Sequence, residues 1–394
     1  MASARTLGRW ALRAVLALAV IAAAGGLWYR EEIGRLLVVN TLFDADRIVH
    51  NFSHMGDAFP TAPLPIGDAP PTPLPDGPPL DLPAGVAAWL TETDATGIVV
   101  LDAGALVHQT TYLGTGDDDL RISWSIAKSF LSALTGLSVA NGEIASLDDP
   151  VTTYVPSLDG TAYDGATVRN LLQMSTGVTF DEDYLDPKSD INRMGRILAL
   201  GGSMDGFAAS LSERDRPPGE TWSYVSIDTH VLGMVLRDAA GRDLPELMSE
   251  RLITPLGLEA EPYFLTDGDG VAFALGGLNL TLRDYARFGL MIAQDGRLGE
   301  RQIVPADWIA ESTNASAQTG PGALRYGYQW WLPAEPRPGE VMGRGVYGQY
   351  LYIDRVRDVV IVLTAANRRF REPGQTDRAI AMLRDLADAV VARR

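Results

Sequence analysis

The sequence has no cysteine in 394 residues. That absence excludes disulfides, thiolate nucleophiles and cysteine-based zinc sites. It also suits an oxidising compartment, where a stray thiol is a liability. Histidine is scarce, with four residues at positions 50, 54, 108 and 230. Their spacing gives no HExxH or related metal motif. His50 and His54 are spaced to share a helix face, but no acidic third ligand stands near them, so no metal is expected. Positive charge is in deficit: 33 Lys and Arg against 50 Asp and Glu leave a net charge of −17. A chain this acidic repels phosphate backbones, so nucleic acid is not an expected partner. The G-x-S-x-G elbow of many serine hydrolases is missing. No serine stands in an obvious relation to His108 or His230, so a Ser-His-Asp triad is not expected.

What is present is the composition of a globular protein, 46% apolar and 21% charged. A chain of this length can bury a large core without staples, as one large domain or two medium ones. The N-terminus stands apart. "WALRAVLALAVIAAAGGLWY" (10–29) carries no charge after Arg13, and Arg5, Arg9 and Arg13 lead into it. This reads as an export signal or a single membrane anchor. Ala22-Ala23-Ala24 has the look of a small-residue cleavage site. Trp28 and Tyr29 suit an interfacial anchor, and the amphipathic "EEIGRLLVVNTLF" follows at once. An uncleaved anchor is the favoured reading; a cleaved signal, which would make the protein secreted, stays open. The arginines place the N-terminus inside. The bulk of the chain is then expected on the periplasmic or extracytoplasmic side of the cytoplasmic membrane, with inner-membrane lipid as partner through this helix.

The expected organisation is an anchor or signal at 1–30, an amphipathic and proline-rich lead-in at 31–84, and a catalytic domain at 85–394. Residues 60–83, "PTAPLPIGDAPPTPLPDGPPLDLP", exclude helix and central strand. They read as an extended linker or surface wrap. Apolar runs on either side of Asp102-Ala103-Gly104 predict a hairpin. Asp117-Asp118-Asp119 reads as a solvated loop. A helix is predicted from Trp124 to Ala140, closed by Asn141-Gly142 and apolar on nearly all sides, hence buried. Helices and loops fill 150–260. Another amphipathic helix covers 281–296. Strands are predicted at 326–333 and within 345–367, and a last helix closes the chain. Strands at both ends of a helical middle predict one sheet with an inserted helical region, an α+β arrangement.

Polar residues at the start of a buried helix need a reason. In "RISWSIAKSF" (121–130), Ser125 and Lys128 are one helical turn apart and can meet. Serine needs a base to become a nucleophile. Burial lowers a lysine pKa toward that role. The helix N-terminus favours an alkoxide and then an oxyanion. Ser123 is the natural N-cap, which leaves Ser125 free. Alone, S-x-x-K is common by chance. Downstream, "PPGETWSYVSIDTHVLGMVL" (217–236) sets Tyr224 and Ser226 at a turn-to-helix boundary, where a phenol can exchange protons with an ammonium. The plain alternative is a core tyrosine and a helix cap at Ser226 or Asp228. "GRGVYGQYLYID" (343–354) places glycines before a strand, where a substrate can approach the backbone and an edge N–H can serve an oxyanion. Its plain alternative is a tight hairpin.

Together these pieces resemble the serine β-lactamase and penicillin-binding-protein superfamily, with its S-x-x-K, Y-x-N or Y-x-S, and glycine-containing strand elements. The wording is most similar to the 6-aminohexanoate-dimer hydrolase branch and its class C β-lactamase-like esterase relatives. The segments that carry it are "SWSIAKSFLSAL", "LLQMSTGVTFDEDYLDPKSD", "PPGETWSYVSIDTHVLG", "GGLNLTLRDYARFG", "YGYQWW" and "GVYGQYLYID", spanning roughly 85–390. The resemblance implies a β-lactamase/transpeptidase-like fold, an antiparallel sheet flanked by helices. It implies Ser125 as acylated nucleophile, Lys128 as proton acceptor and Tyr224 as proton-transfer group for the leaving group. The backbone N–H groups of Ser125 and Val346 would form the oxyanion hole. Tyr184, Ser226, Gly345 and Tyr347 would line the substrate site. That chemistry uses no metal or organic cofactor. The third element lacks the Lys-Thr-Gly of penicillin-recognising enzymes, with only Arg344 as a replacement cation, and Ser226 stands where many β-lactamases have asparagine. Both point to the esterase and amidase branch and away from efficient β-lactam hydrolysis. The expected partner is a small ester or amide. The rival readings are a cell-wall D-Ala-type peptidase or carboxypeptidase and a catalytically silent envelope binding protein. Oligomeric state is not legible.

Overall fold

Short apolar runs, buried on both faces, build the main strands of this chain, and its computed structural model describes residues 4–394. In chain order the strands are β1 (Thr61–Pro63), β2 (Ala95–Asp102), β3 (Ala105–Thr111), β4 (Arg121–Ile122), β5 (Tyr263–Leu265), β6 (Leu278–Leu280), β7 (Arg297–Leu298), β8 (Arg301–Gln302), β9 (Arg325–Tyr326), β10 (Trp331–Leu332), β11 (Glu340–Gly345), β12 (Gln349–Asp354) and β13 (Val359–Ala365). The main sheet is antiparallel, in the order β3-β2-β13-β12-β11-β10-β9. Its β2–β13 pair joins an early strand to the last one, with Ile98 opposite Leu363. Successive residues of β2 face opposite sides. Ile98 and Val100 pack with Trp89 of the helix Ala84–Glu92 and Leu383 and Leu386 of the helix Gln375–Ala392. Val99 and Leu101 join the larger core with Phe130 of the helix Ala127–Ala140 and Phe288 of the helix Leu282–Ala293. This is the helix-flanked antiparallel sheet expected. The β2–β3 turn is tight because Ala103 and Gly104 both take left-handed angles, φ 48° and 82°, the geometry that matches strand twist in a hairpin.

Three sequence expectations are corrected. A second sheet, β1-β5-β6-β4, stands beside the main one, and β7 and β8 form a separate pair. Strands of two or three residues are too short to show alternation, so the sequence pointed to one sheet. The 326–333 run is not one strand but β9 and β10 around a turn in which Gln329 has φ 62°. Ser123 makes no capping bond. The expected helix opens instead with a tight 3₁₀ turn, Trp124–Ile126, and the Ser123 hydroxyl donates to the Trp124 carbonyl at 3.0 Å.

The N-terminal helix Ala4–Trp28 contains a stretch, Arg9–Trp28, long and apolar enough to cross a membrane and not buried at all within the protein. A membrane span and a signal sequence both fit that description. A second helix, Arg30–Thr41, follows directly and reaches the helix Asp190–Ala199 through an Arg35 Nε bond to the Ala199 carbonyl at 2.9 Å. The lead-in is packed into the larger core: Ile48, Phe52, Met55 and Leu64 are all buried there. Its strand β1 pairs with β5, Thr61 opposite Leu265. The proline-rich stretch then wraps the surface, held by Thr72 N–H to the Gly257 carbonyl and Leu80 N–H to the Val107 carbonyl, both 2.8 Å. Arg121 locks this arrangement. Its buried guanidinium donates to the Val49 carbonyl (3.1 Å), Ser53 Oγ (2.6 Å) and Thr96 Oγ1 (2.7 Å). One side chain thus joins the lead-in helix Ile48–Ser53, the main sheet and the strand entering the Ser125 turn.

Phe130 stacks on Phe288 with ring centroids 3.7 Å apart, so this contact fixes the Ser125-bearing helix on the core. Phe130→Ala is expected to lower unfolding free energy by about 3–5 kcal/mol, read as a fall in the urea midpoint.

Candidate active site

Lys128 projects from the first turn of Ala127–Ala140 into a space with almost no water, 1% exposed. Its Nζ lies 3.3 Å from the Ser226 carbonyl and 5.6 Å from the centre of the Tyr224 ring. Burial pushes the ammonium pKa down to about 7, against the opposing pull of Glu182 and Asp228. Lysine is rare in this chain: Lys128 and Lys188 are its only ones. Apart from Lys188, its other long cationic side chains are arginines, whose guanidinium keeps its proton. At this position it has a cation that can let one go.

Ser125 sits one turn earlier, within the 3₁₀ turn, and its hydroxyl faces the Tyr224 phenol. Burial and the neighbouring Glu182 charge push the Tyr224 phenol well above its ordinary value, although the Ser125 and Ser226 hydroxyls and Arg344 work in the other direction. Tyr224 is therefore a protonated phenol, able to donate, and not a phenolate base in the resting state. Ser226 is fully buried at the start of the helix Ile227–Ala240. Its carbonyl accepts from Lys128 and its N–H donates to Glu182 Oε1. It makes no side-chain cap. Asp228 is not a cap either. Its carboxyl accepts from Tyr163 (2.9 Å) and Thr176 (2.9 Å), and burial raises its pKa to about 8.

Glu182 is a residue that sequence reasoning passed over. "DEDYLDP" looks like a solvated acidic loop, yet Glu182 turns inward beneath Tyr184, and burial raises its carboxyl pKa. Its second oxygen has no protein partner. Tyr184 lies over it, edge-on to Phe370 at 6.5 Å, with the Arg371 guanidinium 5.7 Å above its ring. Arg371 also pairs with Asp183 at 3.1 Å. The 181–189 loop is thereby tied to Phe370 and Arg371, beyond the last strand.

The third element meets the Ser125 turn edge to edge. Gly345 lies so close that an added Cβ would stand 2.8 Å from the Ser123 carbonyl and 3.0 Å from Trp124 Cβ. No larger residue leaves β11 against that turn. Val346 begins the next tight turn, Val346–Gly348, which the Gln349 side chain stitches by donating to the Val346 and Tyr347 carbonyls, both 3.3 Å. Ser125 and Val346 each stand in the first turn of a short helix, where an N–H has no acceptor within the helix. Two bulky residues flank these N–H groups in left-handed conformations, Trp124 at φ 44° and Tyr347 at φ 61°. Each such residue costs about 1–3 kcal/mol and persists only where its surroundings hold it. The structure therefore gathers Ser125, Lys128, Tyr224, Ser226 and Tyr184 about Glu182, and sets Gly345, Val346 and Tyr347 along the turn that carries Ser125. Arg344 lies over Trp331 at 5.0 Å and donates to Thr376 at 2.9 Å. Trp331 in turn stacks on Tyr224 at 5.2 Å.

A family model for Beta-lactamase matches residues 97–386. The chain belongs to the beta-lactamase family. It is similar to a 6-aminohexanoate-dimer hydrolase of Paenarthrobacter ureafaciens, 32% identical over 289 residues, which cover 69% of this chain and 73% of that protein. Its fold matches a Bacillus anthracis structure provisionally assigned as a 6-aminohexanoate-dimer hydrolase, with a TM-score of 0.76, 25% identity, and 88% of this chain and 95% of that one covered. A D-stereospecific amidohydrolase from a Streptomyces species shares the fold at a TM-score of 0.56 and 21% identity, over 76% of this chain and 97% of that one. This beta-lactamase-family chain is a serine hydrolase with the β-lactamase/transpeptidase-like fold.

In this family member Glu182 raises the Lys128 pKa. Removing its charge lets burial act with less opposition, so Glu182→Gln is expected to lower the Lys128 pKa further. The acid limb of kcat/KM against pH then moves to lower pH. A limb unmoved or shifted upward would show that Glu182 does not act on the ammonium.

Proposed function

We propose that the protein cleaves an ester or amide bond through an acyl-enzyme on Ser125. The observation that carries this reading is the buried, readily deprotonated Lys128 one turn from an N-terminal helix serine. In acylation the neutral Lys128 amine takes the Ser125 proton as Oγ bonds to the substrate carbonyl carbon. The carbonyl electron pair moves onto oxygen, opposite the Ser125 and Val346 N–H groups. When that pair returns, the bond to the leaving group breaks. The Tyr224 phenol protonates the departing nitrogen or oxygen and is reprotonated from the Lys128 ammonium. Water then attacks the acyl ester by the same proton route in reverse, releasing acid and free Ser125. Preorganised N–H donors of this kind are worth about 10²–10³ in kcat.

The similarity to 6-aminohexanoate-dimer hydrolases supports a short amide or ester substrate. The contacts of Arg344 with Trp331 and Thr376 speak against a fixed carboxylate anchor for β-lactams or cell-wall peptides. The aromatic rings of Tyr184, Phe370, Tyr347 and Trp331 favour an apolar acyl or leaving group. We further read the Arg9–Trp28 helix as a retained anchor that holds the domain outside the cytoplasmic membrane. N-terminal sequencing of the membrane fraction tests this, and a mature chain starting near residue 25 would refute it.

Intact mass after a fluorophosphonate is expected to show one adduct on the wild type and none on Ser125→Ala, with both proteins melting alike. An adduct of equal yield on the variant would move the nucleophile elsewhere. The pH dependence has a definite sign. Only the deprotonated amine is a base, so kcat/KM is expected to rise with pH through neutrality as Lys128 loses its proton. Lys128→Arg keeps the charge but cannot deprotonate, and its acylation is expected to be lost at every pH. Normal acylation in that variant would exclude Lys128 as the base.

A further inference from the structure

The strained residues beside the two N–H groups are held by the lead-in and not by the catalytic segments alone. Phe43 stacks on Tyr347 with centroids 4.7 Å apart and planes at 13°, and meets Trp124 at 5.9 Å. Phe52, fully buried, meets Trp124 edge-on at 5.4 Å and Tyr347 at 5.5 Å. The same pair of rings therefore touches the residue before Ser125 and the residue after Val346. Phe370 closes the far side of Tyr347 at 4.8 Å. Trp124 carries a second burden besides its left-handed backbone, since its buried indole N–H has no acceptor. A residue with two such costs holds its position only under packing. The rings that supply this packing are themselves fixed. Arg121 ties the helix Ile48–Ser53 to the strand that leads into the Ser125 turn, and the Ser53 hydroxyl bonds Asp119 at 2.8 Å. Directly before Phe43 comes the helix Arg30–Thr41, and before that the apolar N-terminal helix.

We propose that the segment joining the N-terminal helix to the catalytic unit is a working part of the active site, in which Phe43 and Phe52 are positioning residues. They clamp Trp124 and Tyr347, and through them set the spacing of the Ser125 and Val346 N–H groups. This rests on the reading of those N–H groups as an oxyanion hole. A ring that acts in this way speeds the chemical step for every substrate. A ring that merely lines the site changes the binding of long substrates alone.

The test uses the full chain in detergent with p-nitrophenyl acetate and p-nitrophenyl octanoate. Phe43, only partly buried, is the residue to vary, since Phe52→Ala would empty a buried site. Phe43→Ala is expected to lower kcat about tenfold on both esters, with KM within about twofold and a melting temperature near wild type. Phe43→Tyr, which keeps the stacked ring, is expected to restore kcat. Phe43→Leu, which keeps bulk without the ring, is run beside them, so that a poorly folded alanine variant still leaves the ring measurable. Gly345→Ala serves as the control for the oxyanion hole, and a large loss of kcat is expected. If Gly345→Ala is slow while Phe43→Ala and Phe43→Leu turn over both esters like wild type, the clamp is wrong and the oxyanion reading stands. If the Phe43 variants change only KM, and only for the octanoate, Phe43 is a substrate wall and the clamp is again wrong. If Gly345→Ala is as fast as wild type, the oxyanion reading falls and takes the clamp with it.

Discussion

An ammonium group taken out of water is the constraint around which this protein is arranged. A buried, unpaired cation is so costly that it normally gives up its proton or finds partners. Lys128 does some of each. The Ser226 carbonyl accepts from it, and Glu182 and Asp228 supply negative charge nearby. Those groups come from the 181–189 loop and from the start of the helix Ile227–Ala240, while Tyr163 and Thr176 bond Asp228 from two further segments. Lys128 is thus one point where the inserted helical region meets the Ser125-bearing helix, and the Arg251 bond to Ser138 Oγ is another. The balance leaves the amine close to losing its proton at neutral pH, the condition an acylating serine needs.

The second constraint is geometric. The edge of β11 and the turn at Ser125 come from residues more than 200 apart in the sequence, by their numbering, and must meet without a gap. Gly345 makes the approach possible because any side chain there would strike Ser123 and Trp124. Trp124 and Tyr347 then hold backbone angles that relax unless packed. Aromatic contact is well suited to this, because flat rings fill a gap while tolerating small shifts along the stack. The polar centre is thus set inside an apolar frame, and the frame fixes where the N–H groups point.

Much of this was visible in the sequence, for identifiable reasons. The Ser125–Lys128 spacing is a helical one, and a helix apolar all round announces its own burial. The Ala103-Gly104 hairpin and the C-terminal helix follow from local chemistry. The helix-flanked sheet followed from the order of segments and from resemblance. What was not visible depends on contacts distant in sequence. Glu182 sits among Asp181, Asp183 and Asp186, where nothing local marks one acid as inward. Gln329 bends the "YGYQWW" run because its side chain reaches Thr229 and the Leu171 carbonyl, and no alternation pattern records that. Phe43 and Phe52 look like the ordinary apolar side of a short helix. Their significance comes from Trp124 and Tyr347, which the sequence places far from them and from each other.

The pairing of β2 with β13 has a consequence for the order of events during folding. Strand β2, complete by residue 102, has β3 beside it in sequence but finds its other partner only at Val359–Ala365. The lead-in strand β1 likewise waits for β5 at Tyr263–Leu265. Contacts between residues so distant form slowly, because the loop must close before any bond rewards it. A chain emerging N-terminus first can pair β2 with β3 at once, but the other edge of β2 stays open until β13 has been made. Open strand edges of this kind are prone to aggregate before folding is complete, and the wrapping lead-in, first to appear, waits for partners made much later.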